Sequence, residues 1–408
     1  MFIQIKSENP KLSWILNKNP NTIPLIKKQR DGVSIAWFSN ETTYNLRYDE
    51  NTIKVNPYCN DDDNKTNYTS NQKFTSCTCA LALISNFLNS LYNKDSDDDK
   101  EGFKNQMIIA TPNIRGKIIE SFQRHFTDYE ITYEKYLIIK SEKKVRELLA
   151  IASVMLIIES IKQEELFITS NDIITKYLNC INLIQSPYFI RYLFKFNILT
   201  SKKKFEENKD LINTDRIEME IGTNFQQRFK FIENKLSFQN SILDFGCGEG
   251  KYLKFSKKIK DKIYYCFDKD DKIKELIENK IKRKKYDNVQ FEEEIKIKEP
   301  VEVILSEVIE HNEKEDIEKI FLSLKHLNIQ SMIITTPNKD FNDFYGLDDQ
   351  LRHNDHKIEF NKEEFEKLVI DNLSKIGITE EKYSFEVGNL GDTVENIQPQ
   401  LYYLITKN

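Results

Sequence analysis

Residues 243–253 read LDFGCGEGKYL and gather Gly246, Gly248 and Gly250 into one turn, in a chain with only 11 glycines among 408 residues. The apolar run SILDFG (241–246) leading into the turn is a strand candidate. Glycine at such a point lets the backbone take positive φ and approach a ligand closely. A helix opening after the turn would add free N–H groups. The glycine spacing alone fits several nucleotide-type ligands, because nicotinamide and flavin domains use similar strand-to-helix turns.

Two acids narrow the choice. Asp244 precedes the glycines on the strand, where a carboxylate can receive the ammonium or amide donors of a zwitterionic cofactor. Asp268 closes the next strand candidate, KIYYCFD (262–268), where an acid commonly takes both ribose hydroxyls of a nucleoside. With Gly246 and Gly248 they predict a Rossmann-like site for S-adenosylmethionine (SAM), ahead of a dinucleotide site or a purely structural turn.

Outward from this point the second half of the chain alternates. VQF (289–291), VEVILSE (301–307) and SMIITTP (331–337) are strand candidates. DDKIKELIENKIKRKK (270–285) and KEDIEKIFLSLKHL (314–327) are helical stretches between them. Alternation of this kind predicts a mostly parallel sheet covered on both faces. YSFEVG (383–388) and QLYYLIT (400–406) bring the strand candidates to seven and suit an antiparallel hairpin at the sheet edge. The first half shows helical patterns at 76–93, 142–163 and 170–181. Residues 200–220 are charged, without a clear apolar stripe, and mark a boundary. The expected fold class is α/β. A Rossmann-like SAM-dependent domain over 222–408, with a mostly parallel seven-stranded sheet, follows an N-terminal α+β domain over 1–205 and a linker over 206–221.

Composition excludes some classes. Hydrophobic residues make up 39% and charged residues 31%, so the chain can build a core. The net charge of −5 gives no support to sequence-blind coating of nucleic acid, though a local site can still grip one RNA end. The six cysteines, Cys59, Cys77, Cys79, Cys180, Cys247 and Cys266, are scattered and read as reduced thiols. The CxC pair at 77 and 79 reads as core. The N-terminus lacks a signal pattern. LLAIASVMLII (148–158) is too short for the roughly 20 residues a bilayer needs. The expectation is a soluble, cytoplasmic protein with no membrane partner. The acidic runs DDDNK (61–65) and DSDDDKEG (95–102) lack calcium-loop register and read as solvated loops.

SEVIEH (306–311) falls at the C-terminal end of the fourth strand of the second half. In open α/β sheets that end faces the ligand crevice. Alone, the segment reads as an acidic helix start favoured by the macrodipole. Its context changes that. Four of the five histidines lie between 311 and 356, and RHNDHKIEF (352–360) supplies His353 and His356 after the fifth strand. Two Glu and two His would form a mixed O/N site suited to Mg²⁺, Mn²⁺ or Co²⁺ rather than to a closed cysteine-type zinc site. The order of residues does not match HExxH.

These residues resemble one family, the small-RNA 3′-terminal 2′-O-methyltransferases of the HEN type. The matching pieces are LDFGCGEG (243–250), SEVIEH (306–311), TTPNKDFN (335–342), LRHNDHKIEF (351–360) and QQR (226–228). The order EVIEH, TTPN, RHNDH is far more specific than the glycine turn. Three pieces of the first half, LSWILNKNPNT (12–22), YTSNQKFTSCTCALAL (68–83) and SPYFIRYLF (186–194), resemble less specifically the amino-terminal half of the family's bacterial branch. The resemblance implies metal ligands at Glu307, Glu310, His311 and His356. It implies SAM acids at Asp244 and Asp268, with Gly246, Gly248 and Ser306 beside them. It places Arg228, Arg352 and Asn338 near the RNA end. It also implies a polynucleotide kinase-phosphatase-ligase as repair partner, bound and activated through the first half. QFEEEIKIKEP (290–300) departs from the family by carrying Glu where an Asp usually lies near the cofactor base, so no adenine contact is assigned there.

The implied reaction is chemically coherent. A divalent ion on the terminal ribose would acidify its 2′-hydroxyl. His311 or His356 would accept the proton. The substrate would be RNA with free 2′,3′-hydroxyls at its 3′ end. Two other readings share some of these residues: a metal-dependent methyltransferase of small vicinal diols, and a non-catalytic RNA-repair scaffold.

Overall fold

The computed structural model describes residues 1–29, 32–50, 76–110, 112–162, 170–347 and 350–408. Cys59, the acidic run 61–65 and the 68–75 part of the run quoted above lie outside them. The chain divides into two units, Met1–Ile212 and Asn213–Asn408.

The first unit is built on an antiparallel sheet of seven strands: β1 (Phe2–Ser7), β2 (Leu25–Gln29), β3 (Gly32–Asn40), β4 (Thr43–Glu50), β5 (Asn105–Ala110), β6 (Glu130–Tyr133) and β7 (Tyr136–Ser141). Their order is β2-β3-β4-β1-β5-β7-β6. Alternation sets the faces: Ile3 and Ile5 of β1 are buried while Gln4 is only partly so. The helix Val145–Lys162 is buried along the whole of 148–160, which is why its sequence reads apolar on every side. Among the described residues no helix is long and apolar enough to cross a membrane. Asp99 corrects the reading of 95–102 as a solvated loop. It is buried, and its carboxylate accepts from Val145 N (2.9 Å) and Arg146 N (3.0 Å), capping the start of that helix. Cys77 is buried and donates to Asn113 O, and the five described cysteines are thiols outside any disulfide.

The segment 206–221, expected as a linker, carries regular structure. A helix runs over Lys202–Ile212 and a short strand β8 over Ile217–Glu218. The buried Arg191 explains the helix's anchoring, since its guanidinium donates to Ile212 O (2.9 Å), Ser186 O (3.0 Å) and Asn182 Oδ1 (2.8 Å).

The second unit holds β9 (Ser241–Phe245), β10 (Tyr264–Phe267), β11 (Val289–Glu292), β12 (Val301–Ser306), β13 (Ile329–Pro337), β14 (Tyr383–Leu390), β15 (Thr393–Val394) and β16 (Gln400–Lys407). The main sheet runs β11-β10-β9-β12-β13-β16-β14, and β15 pairs with β8 apart from it. The first four pairings are parallel, while β16 is antiparallel to both β13 and β14. Reversal of strand order on either side of β9 and β12 makes their C-terminal ends the crevice of a Rossmann-like sheet.

Strand side chains alternate between two apolar layers. Leu243, Val303 and Leu305 pack with Phe321 and Phe365 from the helices Lys314–Leu324 and Lys362–Lys375. Ile242, Ile304 and Ile333 pack with Ile232 and Ile277 from Asn224–Lys235 and Asp271–Lys284. The helix expected directly after the glycine turn is replaced by a short 3-10 helix, Leu253–Lys258. Three glycines at positive φ interrupt any right-handed helix across 246–250. His326, expected in a helix, lies exposed in the turn beyond Leu324.

Gly246 and Gly248 should respond differently to a methyl group. At Gly246 (φ +71°) an added Cβ would lie 2.6 Å from Val308 Cγ2, whereas at Gly248 (φ +48°) it would meet nothing within 4 Å. Left-handed strain of about 1–2 kcal/mol applies to both, and overpacking of about 1–3 kcal/mol only to the first. Urea unfolding should therefore show Gly246→Ala clearly less stable than Gly248→Ala, and equal losses would contradict the packing described.

Candidate functional site

The glycine turn is docked on β10. Gly246 N and Cys247 N donate to Phe267 O at 2.7 and 3.0 Å. Gly248 N donates to Asp268 Oδ2 (2.9 Å), and Asp268 Oδ1 accepts from Asp270 N (3.1 Å). The Asp268 carboxylate is thereby held across the turn at the exit of β10. Open space beside Gly248 completes a cradle for a ligand. Asp244 sits deeper, 2% exposed, with Oδ2 accepting from the Tyr264 hydroxyl (2.9 Å). Burial pushes its pKa up to about 7; the Tyr264 hydrogen bond opposes this and Asp268 adds to it.

Strand β12 delivers the second half of the site. Its last residue, Ser306, shares hydroxyl contacts with Tyr252 and Thr335, both at 2.9 Å. Glu307 follows at φ +57°, a left-handed conformation that costs a residue with a side chain about 1–3 kcal/mol. Glu307 N donates to Thr335 O (2.9 Å), which holds the turn. Glu307 Oε1 accepts from the Thr335 hydroxyl (3.2 Å), and Oε2 lies 2.9 Å from Arg228 Nη1. Arg228 also donates to Gln400 Oε1 (2.6 Å) and the Tyr252 hydroxyl (3.3 Å). Burial, the largest single influence, would lower the Arg228 pKa, but Glu307, Tyr252 and Glu310 together overcome it and the guanidinium lies above its ordinary value.

Past Glu307 the chain curls into a 3-10 turn, Ile309–His311. Glu310 is fully buried. Its Oε2 accepts from the Thr336 hydroxyl (3.1 Å), while Oε1 has no hydrogen-bond partner among the described residues. Burial, then Glu307, raise its pKa well above the carboxylate range. The His311 and His356 rings stand 4.8 Å apart and nearly perpendicular. Glu310, His311 and His356 each offer one ligand atom, and these atoms all lie within 4.8 Å of one another. Glu307 stands outside this trio, with Oε2 committed to Arg228.

His356 is buried, and its Nδ1 lies 2.5 Å from Glu359 Oε1. A carboxylate acceptor keeps the proton on Nδ1 and leaves Nε2 with a free lone pair. Burial would raise the pKa of Glu359, but hydrogen bonds from His356, Asn342 and Arg352 N outweigh it and hold the group below its usual range. Sequence reasoning did not single out Glu359. The available signal was its place three residues after His356. Tyr252, Thr336 and Gln400 carried no such signal, because only the fold brings them here.

The side chains of Arg352 and Asn338 are already committed. Arg352 donates to Pro399 O (2.8 Å), Asn338 O (2.8 Å) and Asn342 Oδ1 (2.9 Å), and lies over the Tyr345 ring. Asn338 donates to Gln398 O (2.9 Å) and accepts from Asp340 N (3.1 Å). Both tie the loop after β13 to the segment before β16.

The family model described as Hen1 N-terminal domain matches residues 2–216. A chain of a solved Pnkp1/Rnl/Hen1 RNA repair complex is similar over 100% of both chains, with a TM-score of 0.81 and 24% identity. A chain of a second Pnkp1/Rnl/Hen1 complex is similar over 100% of both, at 0.79 and 23%. At these identities the likeness shows a common fold. The comparison with curated proteins finds no match.

Asp244 generates a pH prediction. Its folded pKa is raised to about 7, so the neutral form is the stabilising one. That stability is fully present below the ordinary carboxylate range and is lost as pH rises toward about 7. Asparagine is neutral throughout. Without cofactor, the Tm of Asp244→Asn should gain on wild type between about pH 4 and about pH 8. A constant difference would show that Asp244 ionises freely in the folded chain.

Proposed function

Because the chain belongs to the Hen1 N-terminal domain family, we propose that it methylates the 2′-hydroxyl of the 3′-terminal nucleotide of RNA, using SAM and a divalent cation, in RNA repair. One observation carries this reading: the Glu310, His311 and His356 trio adjoins the glycine turn. Val308, between Glu307 and Glu310, packs directly on Gly246. A cation site and a nucleoside-cofactor cradle thus share one edge of the sheet.

The residues fit both groups. For the cation, Glu310 Oε1 is a buried oxygen with no hydrogen-bond partner among the described residues, and His356 presents Nε2. His311 completes the trio, and Glu307 is the fourth ligand we assign. A mixed O/N set of this kind suits Mn²⁺, Mg²⁺ or Co²⁺. When bound, the cation supplies Lewis-acid polarisation of the terminal ribose hydroxyls. SAM supplies an electrophilic methyl group on sulfur. Asp268 and the open space beside Gly248 hold the nucleoside of the donor, and Ser306 borders it. Asp244 is the second acid we assign to the cofactor. A histidine of the trio would take the 2′-hydroxyl proton, leaving the oxygen as the nucleophile for the methyl group that bound SAM would supply. Arg228 restrains the Glu307 carboxylate at the mouth of the site. Arg352 and Asn338 shape the loop that bears His356. The unit Met1–Ile212 is assigned the binding and activation of a polynucleotide kinase-phosphatase-ligase, and the protein is assigned to the cytoplasm.

Labelled-methyl transfer tests the reaction. A short RNA with a 2′,3′-diol end should accept the label in the presence of Mn²⁺. The same RNA lacking its terminal 2′-hydroxyl should not, and EDTA should abolish transfer. Glu310→Gln and His356→Ala should each lose at least about 100-fold. Label appearing on a catechol but not on the RNA would overturn the substrate assignment.

Glu359→Gln tests the cation site apart from turnover. Loss of the carboxylate behind His356 should weaken Mn²⁺ binding by about 10–100-fold, read by electron paramagnetic resonance of free Mn²⁺. Unchanged affinity would remove His356 from the ligand set.

A further inference from the structure

We propose that Lys251, Lys254 and Lys257 form a track for the phosphates of the RNA strand leading to the 3′ end, an inference that rests on the RNA reading above. The segment KYLKFSKKIKDK (251–262) carries six lysines, all exposed, in a chain whose net charge is −5. Lys254 and Lys257 lie on the 3-10 helix Leu253–Lys258, and Lys251 comes one spacing earlier. Residues three apart share a face of such a helix. The intervening Tyr252, Leu253, Phe255 and Ser256 are buried, so the segment is apolar inward and cationic outward.

Aromatic faces set the direction of the row. Lys251 Nζ lies over the Phe225 ring (5.3 Å), Lys254 over Phe229 (3.6 Å) and Lys257 over Tyr286 (5.8 Å). The Phe225 ring also carries Arg228, whose guanidinium is paired with Glu307. Lys251 is therefore one ring away from the Arg228 that pairs with Glu307, and the row continues to Lys254 over Phe229 of the helix Asn224–Lys235 and then to Lys257 over Tyr286.

The charge is uncompensated. Among the described residues no carboxylate lies within ion-pair distance of Lys251, Lys254 or Lys257, whereas Lys258 is paired with Glu233 (2.8 Å). The more basic-looking run 280–285 is a weaker choice, because Lys280 already donates to Glu249 O. A row of unpaired cations adds little to the binding of a neutral ligand. A nucleic-acid strand gains from it through release of condensed counterions at each phosphate. The row begins at the ribose site and faces solvent, which fits a strand with one end buried. It also accounts for RNA binding by a protein that is acidic overall.

The test compares wild type with the triple variant Lys251→Gln/Lys254→Gln/Lys257→Gln in the full chain. Fluorescence anisotropy of a labelled single-stranded RNA with a 3′ diol is followed across a salt series. Calorimetry of SAM binding checks that the second unit is intact. The variant should bind RNA about tenfold more weakly at low salt, and the slope of log affinity against log salt should fall by about 2. Unchanged affinity and slope would overturn the track, as would loss of binding to an acidic peptide with RNA affinity intact. Methyl transfer to a terminal dinucleoside phosphate, too short to reach the row, separates the two readings. Transfer by wild type together with unchanged RNA binding by the variant ends the track alone. Absence of transfer to RNA of any length ends the function and the track with it.

Discussion

Val308 rests on a glycine that has no side chain, and this contact sets the spacing between the two halves of the site. A Cβ on Gly246 would come within 2.6 Å of Val308 Cγ2, so a side chain there would push the exit of β12 away from the turn after β9. Both segments need unusual backbone at that point. Gly246, Gly248 and Gly250 take positive φ on one side, and Glu307 does so on the other. Glycine adopts that conformation freely, but glutamate does not. The strain at Glu307 is offset by two hydrogen bonds with Thr335: the Glu307 amide donates to its carbonyl, and the Glu307 carboxylate accepts from its hydroxyl.

Buried carboxylates at this edge are driven in opposite directions by their surroundings. Asp244 and Glu310 have few compensating donors, and burial raises both. Glu359 is equally buried but receives three hydrogen bonds, which hold it ionised. Burial thus sets the cost of a charge, and the count of donors decides whether the charge persists. Glu359 can stay anionic behind His356 and keep the proton on Nδ1. Glu310, with one oxygen lacking a hydrogen-bond partner among the described residues, is the group best placed to meet a cation. Arg228 and Glu307 form a further pair, and the guanidinium stays charged because Tyr252 and Glu310 add to the Glu307 attraction against burial.

The sequence marked the second unit well for a physical reason. A parallel sheet buries both faces of each strand, so VEVILS and SMIITTP stand out as continuous apolar runs between amphipathic helices. The first unit was less legible. Its antiparallel strands alternate buried and partly exposed residues, as in FIQIKS, and short alternating runs resemble loops or helix edges. Asp99 was misread because acidic runs are usually solvated, and only packing shows that one acid of the run turns inward to cap a helix.

What the sequence alone determined is local: the glycine turn, the acids Asp244 and Asp268 near the ends of the first two strands of the second unit, and the order of EVIEH and RHNDH. Turn geometry and strand ends depend on adjacent residues, so their signals survive in one dimension. Tertiary structure decided which of these groups meet. It brought Glu310, His311 and His356 together and left Glu307 on Arg228. It committed Arg352 and Asn338 to backbone carbonyls, and it placed Glu359 behind His356. Those outcomes depend on which side-chain atoms reach one another across strands distant in sequence, and on which charges the packing shields from water.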